Sequence, residues 1–135
     1  MKRINGILAL LFLLIVSLSV KAGDFVRTND GIIVHPDAPF SGNAKDVQLK
    51  VISENIIRVI AVADRNLQPL KSLIITGEKT EVKFDVVNSD ASVTLKTSKL
   101  IAVVNLQTGS VSFFDASGKP IVAEKQEGRS IHPRV

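Results

Sequence analysis

The chain has 135 residues, no cysteine, tryptophan or tyrosine, and a formal net charge of +4. The missing cysteine excludes a disulfide framework and a lipid anchor on a cysteine, so any fold rests on burial alone. Three of the cations, Lys2, Arg3 and Lys21, lie in a leader. From Gly23 onward fourteen Lys and Arg meet thirteen Asp and Glu, which leaves +1 and no basic stripe for nucleic acid.

Residues 1–22 read as a signal peptide. Lys2 and Arg3 give a positive start, Ile7 to Val16 is an apolar run, and Val20 and Ala22 occupy the −3 and −1 positions of a cleavage site before Gly23. The run is short for a stable membrane span, which needs ~20 residues. Export to the periplasm or the extracellular space is the expectation.

Strand signals follow in series. Phe25 to Thr28 and Ile32 to His35 flank Asn29-Asp30-Gly31, where an Asp-Gly turn predicts a hairpin with positive φ. Pro36 to Asn43 is a loop. In Asp46 to Ser53, Val47, Leu49 and Val51 alternate with Gln48 and Lys50. After Glu54-Asn55, Ile56 to Ala63 is apolar on both faces except at Arg58, which predicts a central strand covered on both sides. A charge in such a strand needs an ion-pair partner, an inter-domain contact or a ligand.

Leu73 to Thr76 reads as a short strand, and Val82 to Val87 alternates again. Val93 and Leu95 alternate with Thr94 and Lys96, and Leu100 to Val104 is a continuous apolar run. Gln107-Thr108-Gly109 turns the chain into Val111 to Phe114. Asp115-Ala116-Ser117-Gly118 has the pattern of a type I turn, and Ile121 to Ala123 ends the series. No stretch after the leader has a helical period. The class is an all-β antiparallel β-sandwich.

Chemistry is sparse. His35 and His132 lie far apart without further ligands, so no metal site is expected. No nucleophile motif or phosphate loop occurs. Glu78 and Glu81 sit in a lysine-rich turn, Asp85 lies on the polar face of its strand, and Asp115 opens its turn. No catalytic, cofactor-binding or metal residue is assigned, and no cofactor.

Two stretches go beyond generic strand pattern: Glu54-Asn55-Ile56-Ile57-Arg58-Val59, and Leu95 to Asn105 continuing through Thr108-Gly109, Val111 to Asp115, Gly118-Lys119 and Ala123-Glu124. Together they resemble the N-terminal domain of glycoside hydrolase family 31, the α-glucosidases and α-xylosidases. The resemblance implies a galactose-mutarotase-like sandwich that precedes a (β/α)8 barrel. It also implies retaining hydrolysis of α-glycosides by two carboxylates supplied by that barrel.

The expected organisation is a signal peptide over 1–22 and a truncated N-terminal β-sandwich over 23–135. Its partners are the barrel of the same parent chain and, through the parent, an oligosaccharide substrate. Nucleic acid and a stable membrane span are not expected. An unfinished sandwich leaves an unpaired edge, so residues 23–135 alone are expected to aggregate or to stay loosely folded. The alternatives are a stand-alone exported module that binds carbohydrate or protein, and an envelope protein.

Overall fold

A computed structural model describes residues 23–65 and 81–125. The segment expected to be a signal peptide, the strand expected at Leu73 to Thr76, Glu78 and His132 lie outside the described residues. Nine strands and one short 3-10 turn, Ala38–Phe40, make up the described part. Strands β1 (Asp24–Thr28), β2 (Gly31–His35), β3 (Asp46–Ser53) and β4 (Ile56–Val62) form a first sheet in that order. Strands β5 (Asp85–Asn88), β6 (Ser92–Lys96), β7 (Leu100–Asn105), β8 (Val111–Asp115) and β9 (Pro120–Ala123) form a second. Every described pairing is antiparallel and joins neighbours in sequence. The all-β sandwich expected from the period-2 pattern is what the chain forms.

The alternating residues fill the space between the sheets. Ile32, Val34, Val47 and Leu49 come from the first sheet, and Val93, Leu95, Ala102, Val104 and Val111 from the second; all are buried. Phe25, Val51, Ile57, Phe84, Val86 and Phe113 pack around them. At one end the Thr97 hydroxyl ties the sheets together. It donates to the Glu54 carbonyl oxygen at 2.7 Å and accepts from the Leu100 N–H at 2.9 Å. Along one side Arg27 reaches over, its Nη2 3.3 Å from the Phe84 carbonyl oxygen and its guanidinium 5.1 Å from the Phe84 ring centroid.

Three expectations need correction. The β1–β2 hairpin turns at Asn29 and Asp30 without positive φ, and Gly31 is already the first residue of β2, opposite Thr28. That glycine serves a close approach: a Cβ there would lie 1.8 Å from the Leu49 carbonyl oxygen. The strand expected from Val82 is ladder-paired only from Asp85, because its partner β6 ends at Lys96, opposite Asp85, and Thr97 starts a turn. The alternation of burial nevertheless begins at Val82.

The third correction concerns β4. Among the described residues it is the edge of its sheet, with Ile56 55% and Val59 37% exposed and none of its residues buried. An apolar pattern on both faces states what a strand is able to bury; a neighbour must still be present to bury it. The Asp115 turn, by contrast, is as expected. The Gly118 N–H donates to the Asp115 carbonyl oxygen at 3.0 Å, and Gly118 has φ +87°. No helix among the described residues is long and apolar enough to cross a membrane.

Candidate functional site

Strand register decides which polar groups meet. On the outer face of the first sheet the register aligns three rows across the strands. They are Asp24–His35 with Asp46–Val62, joined by a side-chain contact one step past the last β2–β3 pair, then Val26–Ile33–Gln48–Ile60 and Thr28–Gly31–Lys50–Arg58. The first row ends in the one compact charged cluster among the described residues. His35 Nδ1 lies 2.7 Å from Asp46 Oδ1, and Arg65 Nε donates to the same oxygen at 2.8 Å. The short contact to Asp46 makes His35 Nδ1 the donor. Arg65 Nη2, 3.4 Å from that nitrogen, also reaches the Lys45 carbonyl oxygen at 3.5 Å.

Asp46 is only 6% exposed. Burial pushes its carboxyl up, and the hydrogen bonds and charges of Arg65 and His35 outweigh that and hold it below the ordinary carboxylate value. The folded chain therefore binds this proton more weakly than the unfolded chain. The cluster's contribution is complete above the unfolded value and is lost as pH falls through the lower folded one. Asp46→Asn is expected to cost about 1–3 kcal/mol at neutral pH, since bonds to a charged group are removed. The parent protein carrying Asp46→Asn should also lose less stability in acid than the natural parent, as read from Tm across pH. Parallel pH curves for the two proteins would refute this.

The cluster anchors structure and joins no reacting partner among the described residues. No nucleophilic side chain is joined to His35 among the described residues, and no group of three metal-ligating side chains occurs there. Glu81 and Asp85 are exposed. Asp115 Oδ1 accepts from Ser117 Oγ at 2.6 Å, Ser117 N at 2.9 Å and Lys119 N at 2.9 Å, and these bonds hold its carboxyl low. That is the work of a turn residue. Arg58 stands directly opposite Lys50, and no carboxylate among the described residues pairs with it. The ion pair is thus not formed within the described sandwich.

An open groove lies between the residue 36–44 loop and the turn after β7. Phe40, Ser41, Gly42, Thr108, Ser110, Glu124 and Lys125 line about 200 Å³ of space open to solvent. Small-molecule sites enclose most of their ligand's surface, whereas this groove stands open to solvent. Thr108 and Ser110 bond each other at 2.9 Å, and Glu124 Oε2 accepts from the Val111 N–H at 3.2 Å. The groove is a seam where these two loops meet the segment that follows β9. The residue that reading the sequence missed is Asp46, along with its link to Arg65. The signal was available only through the β2–β3 register, which the ten residues between those strands conceal.

No protein-family model matches the chain. Among solved structures the chain is similar to the GH31 alpha-xylosidase from Xanthomonas citri, at 37% sequence identity and a TM-score of 0.67. The match covers 80% of this chain and 11% of that one, so this chain spans about a tenth of that protein's length. The resemblance to family 31 and the sandwich class are therefore both seen in structure as well as in sequence.

Proposed function

We propose that this chain is the N-terminal portion of an exported family 31 glycoside hydrolase that cleaves α-xylosidic or α-glucosidic bonds in oligosaccharides. The observation that carries this reading is the 37% identity to an alpha-xylosidase across 80% of the chain. The catalytic carboxylates belong to a (β/α)8 barrel outside this chain. Retaining glycosidases need two carboxyl groups ~5–5.5 Å apart across the bond; of the described acids, Asp46 is held in its cluster with Arg65 and His35, and Asp115 in its turn. The sandwich braces the barrel and shapes one wall of its active site.

The coding sequence beyond Val135 is expected to continue into that barrel. The parent protein should release xylose or glucose from α-linked oligosaccharides, and a 23–135 fragment should release neither. Its mature N-terminus, read by mass spectrometry on secreted material, should be Gly23. A stop codon directly after Val135, or a parent without α-glycosidase activity, overturns the reading. Sugar release by the 23–135 fragment overturns the division of labour.

A further inference from the structure

The third row on the outer face of the first sheet sets two cations side by side. Lys50 and Arg58 are directly opposed across β3 and β4, an arrangement that is destabilising for like charges. Lys50 leans away toward Asp30, with Nζ 3.6 Å from Oδ2. Arg58 has no such outlet among the described residues. The row beside it is mainly apolar: Val26, half exposed, then Ile33, Gln48 and Ile60, each partly exposed. A weakly hydrated guanidinium bordered by apolar side chains is the composition of an interface core.

We propose that this face is a docking surface for a carboxylate-bearing, apolar-flanked surface of the remainder of the parent chain, with Arg58 receiving the carboxylate. The inference rests on the reading that a parent chain exists. Charge complementarity selects the occupant, and the length of the similar protein, of which the match covers 11%, supplies chain enough to provide it. A second copy fits worse. It would present the same basic row, and its Asp30 and Asp46 are already engaged by Lys50 and Arg65.

The test is zero-length carbodiimide cross-linking of the purified parent protein, followed by peptide mass spectrometry. The Lys50–Asp30 link serves as the internal control. With the amine introduced by Arg58→Lys, position 58 should link to an Asp or Glu outside residues 23–135. Arg58→Leu should lower the Tm of the parent by several degrees, and Arg58→Lys should lower it less. The proposal is overturned if the control link forms while position 58 links only within residues 23–135 or between two copies. An unchanged or raised Tm for Arg58→Leu also overturns it. The mass of the expressed product reports separately whether a parent chain exists; a product ending at Val135 removes the function reading and this inference together.

Discussion

Leu95→Ala is expected to remove about 2–5 kcal/mol of folding stability, the range for truncating a buried leucine. Leu95 has no exposed surface and sits mid-strand in β6, between Val86 on β5 and Ala102 on β7. Ala102 is small and equally buried, so on the β7 side nothing is able to fall into the space. The cavity should persist, which places the cost toward the upper part of the range. Small domains have only ~5–15 kcal/mol in total, so a loss of about 4–5 kcal/mol would remove roughly a quarter of the stability or more. The measurement is hydrogen exchange by mass spectrometry on peptides spanning β6 and β7 in the parent protein, which reads the stability of this sandwich alone. Val87→Ala, on an exposed side chain of neighbouring β5, is the control and should change stability by less than ~0.5 kcal/mol. Equal effects at the two sites would mean that the space between the sheets is not a packed core.

The contrast between Leu95 and Val87 was legible in the sequence, and so was most of the sandwich. Val47, Leu49 and Val51 alternate with polar residues, and the structure turns that set inward. Local periodicity carries this information because each strand has one face to hide. Ile56 to Ala63 shows where the method stops. Its pattern reports two faces fit for burial, and the structure leaves the strand at an edge among the described residues. Whatever covers β4 is a fact about neighbours, which no local period records. His35 and Asp46 show the same limit for polar groups. They stand eleven positions apart in sequence, and only the pairing of β2 with β3 sets them 2.7 Å apart. The Asp115 turn was readable because all its partners lie within four residues.

Gly31→Ala should be as damaging as the loss of Leu95, although it adds a single methyl group. The added Cβ would fall 1.8 Å from the Leu49 carbonyl oxygen, 2.9 Å from its carbon and 3.2 Å from Lys50 Cα. All three are backbone atoms of β3, so no side chain is able to swing aside. Relief requires β2 to move away from β3, which weakens the ladder that aligns Ile32 with Leu49 and Val34 with Val47. Overpacking in a rigid setting costs ~1–3 kcal/mol and sometimes more; rigid backbone on every contact places this case at or above the top of that range. Gly118→Ala separates crowding from conformational strain. Gly118 has φ +87° with nothing within 4 Å of its Cβ position, so an alanine there meets strain alone. Its cost should be ~1–2 kcal/mol. Hydrogen exchange in the parent protein, read on β2–β3 peptides for Gly31→Ala and on β8–β9 peptides for Gly118→Ala, decides the matter. If Gly118→Ala proves the worse substitution, the close approach of β2 to β3 is not what requires glycine at position 31.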